Sequence, residues 1–226
     1  MPISRLHSTS RCLNGNAKVP WYLSGGIAKS NVVCAYQPKG AATQASSYIN
    51  LANPGTYNAS SAAPPTWSAA NGWILNGSSQ FLDTGVTPLN GAGTWSAIAR
   101  YSGANLTSDR CISGIWQTAN WSMWTSWLST TYKRFYEIPG GSTGGARAAS
   151  GVIAVAGRYG YHDGIVETAQ LATGSNPGAY TMYIGKLNRA SGLLYWWVGN
   201  IQAYAIYNIA LSAAQVALVT TEMNSI

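Results

Sequence analysis

Turn signals interrupt this chain about every 8 to 15 residues from Asn31 onward, and that spacing limits the length of any regular element between them. The clearest are Asn53-Pro54-Gly55, Asn76-Gly77 and Asp163-Gly164, because Asn, Asp and Gly accept the positive φ that tight turns demand. Short apolar or alternating runs lie between them. In Trp95 to Tyr101, the residues Trp95, Ala97 and Ala99 share one face and Ser96, Ile98 and Arg100 the other, as in a strand covered on both sides. In Trp121 to Leu128, Trp121, Met123, Thr125 and Trp127 share a face, and Trp124 stands opposite between Ser122 and Ser126. Trp73 to Gly77 and Gln80 to Gly85 read as two short strands across an Asn-Gly turn, and Tyr48 to Leu51 as another strand. Gly151 to Gly157 and Tyr159 to Gln170 read as a hairpin turning at Asp163-Gly164, and the glycine-rich Pro139 to Gly145 as a flexible loop. The count comes to roughly ten to fourteen strands, which predicts an all-β, two-sheet antiparallel sandwich of jelly-roll type.

The chain closes differently. Gly199 to Asn208 reads as a strand, and Ser212 with Gln215 three places on has the capping-box spacing that opens a short C-terminal helix. Residues 1 to 30 show neither period and are punctuated by Asn14-Gly15, Pro20 and Gly25-Gly26. They predict an extended arm ahead of one sandwich domain spanning residues 31 to 226.

Charge narrows the function classes. Only 8% of the residues are charged, yet the net charge is +7. No acidic residue precedes Asp83, so the N-terminal third carries only the basic Arg5, Arg11, Lys18, Lys29 and Lys39. A basic segment of this kind suits attraction to an acidic partner, with Arg5, Arg11, Lys18 and Trp21 as candidates for docking the arm onto a neighbouring subunit. The basic residues nowhere cluster and no nucleic-acid motif is visible, which weighs against nucleic acid. Cys12, Cys34 and Cys111 are an odd number at no metal-site spacing and read as reduced, buried thiols. The N-terminus lacks the apolar core of a secretion signal and no stretch is long enough to span a bilayer, so membrane insertion is not expected. A protein of this composition working outside a cell would then leave by lysis.

Several of these segments resemble one family. Gly199-x-Ile201, Ile206-Tyr207-Asn208 and Ala210-Leu211-Ser212 resemble the closing strand and helical turn of laminin-G-like domains in the concanavalin A-like lectin and glucanase superfamily. Tyr161, Asp163, Gly164 and Val166 resemble a hairpin of the same family, and Ala35-Tyr36 with Asn50-Leu51-x-x-Pro54-Gly55 resembles the opening of its phage and bacterial members. The resemblance covers about residues 32 to 220. It implies a concanavalin A-like sandwich, and it specifies fold better than function.

The stock of catalytic groups is small, at six acids and two histidines. Glucanases of the superfamily carry two glutamates on one strand, which draws attention to Asp163 and Glu167; here Asp163 falls in a turn, Ile165 takes the middle position, and the first acid is not Glu. His162 beside Asp163 suggests a dyad, but neighbouring strand residues point apart. No enzyme is expected, and no organic cofactor motif occurs. A structural calcium, which the resemblance implies, would draw on Asp83 and Asp109 with loop carbonyls.

The aromatic residues carry the functional expectation. Trp116, Trp121, Trp124, Trp127 and Tyr132 lie close together with Asn and Gln nearby, and flat rings with amide donors are what a sugar-binding face uses. Trp121 and Trp127 also suit the core, which leaves Trp124 as the ring expected at the surface. The sequence thus points to a non-catalytic adhesion module binding carbohydrate on a cell surface, displayed on a virion such as a phage capsid or tail through its arm. Two alternatives stand beside it: a purely structural decoration or minor capsid protein that contacts only particle proteins or its own copies, and a glycoside hydrolase.

Overall fold

The computed structural model describes residues 18–88, 93–117, 120–127, 132–137, 140–168, 170–171, 178–189 and 195–226. Fifteen strands form two sheets: β1 Val32–Tyr36, β2 Thr66–Ser68, β3 Gly72–Asn76, β4 Leu82–Asp83, β5 Ser96–Ser102, β6 Arg110–Trp116, β7 Asn120–Trp127, β8 Tyr132–Glu137, β9 Gly140–Ala146, β10 Gly151–Ala156, β11 Tyr159–His162, β12 Ile165–Val166, β13 Tyr183–Ile184, β14 Leu187–Arg189 and β15 Val198–Tyr207. A one-turn helix α1, Gln44–Ser47, lies in the first third, and the C-terminal helix α2 spans Ala213–Asn224. One sheet runs β12-β11-β10-β5-β15-β3-β2, with β1 also on β15; the other runs β4-β13-β6-β7-β8-β9, with β14 beside β6. Pairing is antiparallel except between β14 and β6. The all-β sandwich expected from the turn spacing is the observed fold.

Two cores explain the residue pattern. The space between the sheets holds Tyr36, Trp73, Ala97, Ala99, Tyr101, Trp121, Met123, Phe135, Trp197 and Tyr204. Trp73 and Trp197 are fully buried, and each indole N–H finds a hydroxyl, Ser47 Oγ at 2.8 Å and Thr125 Oγ1 at 3.0 Å. A second core lies on the outer face of the β5–β10–β15 sheet, where Ile98, Val152, Ala154, Ala203, Ala205 and Tyr207 meet Trp21, Tyr22, Val216, Val219 and Met223. The helix and the N-terminal segment cover that face, so these strands are apolar on both sides. Trp21, expected to serve docking onto a neighbour, is committed to this chain's own core, with its indole N–H on Gln37 Oε1 at 3.1 Å.

Local chemistry sets several boundaries. Ser212 Oγ accepts from Gln215 N at 3.2 Å and Gln215 Oε1 accepts from Ser212 N at 3.0 Å, the capping box read from the sequence. Asp163 (φ 50) and Gly164 (φ 80) form the two-residue turn between β11 and β12, while Gly157-Arg158 joins β10 to β11, so the region holds two hairpins where one was expected. Cys34 and Cys111 are free and buried, and burial pushes the Cys34 thiol up to about 12. Cys12 lies outside the described residues.

Three expectations are corrected. Tyr48 to Leu51 is not a strand: the Asn50 amide accepts from Ala35 N and donates to Val33 O and Thr56 O, so one side chain replaces a backbone ladder along β1. β3 and β4 do not pair across Asn76-Gly77 but enter different sheets, because Asn76 Oδ1 accepts from Ser78 N, Ser79 N and Gln80 N and winds the connection into a tight loop. The glycine-rich stretch 140–145 is a strand, paired to β8, and the missing side chains of Gly144 and Gly145 let Glu167 approach to where a Cβ on either would collide with it.

Candidate functional site

Of the aromatic residues singled out from the sequence, Trp121 and Trp124 are buried. On β7, Trp121 and Met123 turn into the core between the sheets, as their shared face implied. Trp124 turns outward, as its parity implied, but it is fully buried. Tyr195 closes over it at 4.6 Å between ring centroids, and Cys111 and Leu187 complete a small cluster beneath Trp116 and Tyr195. Tyr195 and Leu187 lie more than 60 residues away in sequence, which is why local alternation assigned Trp124 to solvent. The side chains of Trp127 and Tyr132, and the whole of Arg5 and Arg11, lie outside the described residues. Lys18, the remaining arm candidate, pairs with Glu222 on α2 at 3.2 Å.

Four rings at or beside this sheet, Trp116, Phe81, Tyr183 and Trp196, lie against the chain's own cations. The Arg189 guanidinium stacks 4.0 Å from the Trp116 centroid. The Lys186 ammonium sits 3.9 Å from the ring of Phe81, 4.6 Å from Trp196 and 5.1 Å from Tyr183, and burial holds its pKa below the ordinary lysine value. A sugar stacking on any of these faces would have to displace a cation.

The opposite sheet offers an open place. A groove of about 550 Å³ runs between the β10–β11–β12 hairpins and the segment leading into α2. Its wall includes Arg158, Tyr159, Tyr161, Val166, Gln170 and Ser212. Strand alternation explains the floor: Tyr159 and Tyr161 are two apart on β11 and project to the helix side, while Gly160 between them faces inward, where a Cβ would meet the Phe135 ring at 2.3 Å. Tyr161 is packed into the outer core, and Tyr159 stands 37% exposed at the rim. Arg158 is tethered through Nε to Leu171 O at 2.8 Å, which leaves its two Nη groups to the groove. Among the described residues, the hydroxyls of Tyr159 and Tyr161, the Gln170 amide and these Nη groups have no hydrogen-bond partner. A volume of this size, apolar walls and a few convergent unpaired polar groups are the attributes of a small-ligand site. Sequence reading missed it because the walls come from residues about 50 positions apart, although Tyr159 and Tyr161 flanking Arg158 and a glycine were visible.

Asp163 and Glu167 are both bonded to groups of this chain. Asp163 Oδ1 accepts from Val152 N at 2.8 Å. Glu167 Oε1 lies 3.0 Å from Lys133 Nζ and Glu167 Oε2 accepts from Gly145 N at 3.2 Å. His162 and Asp163 do meet, Nδ1 to Oδ2 at 3.4 Å, because the left-handed backbone at Asp163 breaks the alternation that would have turned them apart. His162 Nε2 is 3.2 Å from Tyr101 Oη, and that hydroxyl donates to Ala148 O. Burial, reinforced by Asp163 and Glu167, holds the Tyr101 phenol above its usual range. Asp83 Oδ1 accepts from Gly85 N, and Asp109 Oδ1 is buried without a hydrogen-bond partner. No group of three or more His, Cys, Asp or Glu converges among the described residues.

Burial, then the nearby Lys133 charge, holds the His162 pKa below its ordinary 6.5, outweighing Asp163, Glu167 and a hydrogen bond to the Ser150 backbone. The unfolded chain therefore binds a proton that the folded chain refuses, so stability is full above pH 6.5 and falls as pH drops from 6.5 through the folded-state pKa. Thermal melts between about pH 8 and 5 should show this decline and H162Q should flatten it; a decline of equal slope in H162Q would remove His162 as its source.

No protein-family model matches this chain, and no curated protein matches it by sequence. Solved structures do. A Trypanosoma rangeli sialidase in complex with 2,3-difluorosialic acid is 15% identical with a TM-score of 0.57, over 85% of this chain and 33% of the sialidase. Domain 4 of AbnA, a GH43 extracellular arabinanase from Geobacillus stearothermophilus in complex with arabinotriose, is 12% identical with a TM-score of 0.50, over 84% of this chain and 98% of that domain. The botulinum neurotoxin serotype D binding domain is 12% identical with a TM-score of 0.53, over 86% of this chain and 51% of that one. This chain spans about a third of the length of the sialidase. What these likenesses share is the fold. No helix among the described residues is long and apolar enough to cross a membrane.

Proposed function

We propose that this chain is a non-catalytic, concanavalin A-like carbohydrate-binding module whose sugar site is the groove of Tyr159, Tyr161, Arg158 and Gln170. The observation that carries the reading is the set of unpaired hydroxyl, amide and guanidinium groups around an apolar groove of about 550 Å³. A sugar presents an apolar ring face ringed by hydroxyls, and Tyr159 can stack on the first while the polar groups pair with the second. Among the described residues no Asp or Glu lines the groove, which favours binding over hydrolysis. The names of the structural neighbours agree in kind: one holds a sialic acid derivative, one holds arabinotriose, and one is a toxin's binding domain. Display on a particle such as a virion is supported only by the acid-free, basic first 82 residues, and of the arm expected to mediate it, Trp21, Tyr22 and Ile27 lie in this chain's own core.

A glycan array identifies the ligand and Tyr159→Ala tests the site. Affinity for the captured glycan should fall at least about tenfold, equivalent to ~1.4 kcal/mol, while the melting temperature stays unchanged because the ring is at the rim. Retained affinity would move the site elsewhere. Capture of no glycan, with a high-order assembly by light scattering, would favour the purely structural reading.

A further inference from the structure

We infer that the groove selects an anionic sugar, one carrying a carboxylate or a sulfate ester, and that Arg158 is the residue that reads the charge. The inference rests on the groove being the sugar site. Among the described residues its wall contains one formal charge, the Arg158 guanidinium, and no carboxylate to neutralise it. The Arg158 stem is fixed: Nε is held by Leu171 O at 2.8 Å, and a Cβ on Gly93 would meet Cγ at 3.2 Å, so the two Nη groups are presented as a preset fork. A half-buried, positioned guanidinium beside apolar surface binds an oxyanion in bidentate geometry at a smaller entropic cost than a free surface arginine. The entry to the 12-residue α2 adds to the same field, because Ala210 to Ala213 line the groove and the first helical turn carries no acid. Tyr159 and Tyr161 then supply the surface on which the sugar ring lies, so ring and charge are recognised by different residues.

The test uses the full chain and matched probes sharing a scaffold: lactose, sialyllactose and sulfated lactose in one set, galactotriose and trigalacturonate in the other, measured by titration calorimetry. At least one acidic member should bind about tenfold or more tighter than its neutral counterpart, with a preference that shrinks as salt is raised. Which acidic member wins distinguishes carboxylate from sulfate. Arg158→Gln should reduce the ratio to near one, with the affinity for the acidic probe falling far more than the affinity for the neutral one. Equal binding of acidic and neutral members, lost in Tyr159→Ala, would overturn the charge preference and keep the groove as the sugar site. Binding that Tyr159→Ala does not affect, or no binding of any probe, would overturn both. A preference that survives in Arg158→Gln would assign the charge reading to another residue and also overturn the inference.

Discussion

Glu167→Gln is expected to lower the unfolding free energy by about 3 kcal/mol, or roughly 6 to 12 °C in melting temperature for a chain of this size. Lys133 is the reason. Its side chain is 4% exposed, donates to Ala146 O at 2.6 Å and lies 3.0 Å from Glu167, which is itself only 19% exposed. Lys133 and Ala146 belong to β8 and β9 of one sheet, and Glu167 follows β12 of the other, so the pair ties the two sheets together at one edge. Removing the carboxylate charge leaves an ammonium inside the protein with only a carbonyl to face. Replacing both partners, in K133M/E167Q, should recover most of the loss, since two apolar or neutral groups need no mutual compensation. A melting temperature for E167Q within about 1 °C of the parent would show that water already reaches Lys133. The same variant addresses the glycosidase alternative, since any hydrolytic activity that survives it does not use Glu167.

Gly72→Ala should cost at least about 3 kcal/mol, the sum of a left-handed backbone and a forced backbone displacement. Gly72 has φ +78, and a Cβ there would stand 2.2 Å from the carbonyl oxygen of Ile201. That oxygen belongs to β15, the strand that pairs with β3, β5 and β1, so no flexible side chain can move aside to relieve the contact. The shift in the β15–β5 register between Ile201 and Ala203 marks the same place, where the strand bulges past the start of β3. Gly55 provides the control: its φ is +91 but nothing lies within 4 Å of a Cβ there, so Gly55→Ala should cost only about 1 kcal/mol. Urea unfolding of the two variants separates conformational strain from close approach, and equal costs would refute the contact at Ile201.

The strand parity of the interior was legible in the sequence, and so was the chemistry of the ends. Ala97, Ala99 and Tyr101 face the inter-sheet core and Ile98 the outer one, as two-residue alternation required. Asp163-Gly164 turned where positive φ was available, and Ser212 with Gln215 capped the helix it preceded. Asn50 shows where local reading runs out. Its neighbours Tyr48, Ile49 and Leu51 have strand character, but one buried amide bonded to four backbone groups overrides that propensity. The glycine run of β9 erred in the opposite direction, because glycine reads as flexible when the close approach of Glu167 is what calls for it.

The candidate site was less legible than the fold. Trp124 and Tyr159 are both aromatic residues facing outward from their sheets, and nothing within five residues of either says which one solvent reaches. Trp124 is closed over by Tyr195, and Tyr159 is left at the rim of a groove whose far wall begins at Ala210. The sequence by itself determined the short strands, their alternating faces, the Asp-Gly turn and the helix cap, because each follows from interactions among residues a few positions apart. Tertiary structure alone decided which rings are covered, which cations cap them and where polar groups converge unpaired. Those outcomes turn chiefly on contacts between distant segments, such as Tyr195 over Trp124, Lys186 over Phe81 and Ala210 across from Arg158, and no local periodicity encodes which distant segment will lie over a given face.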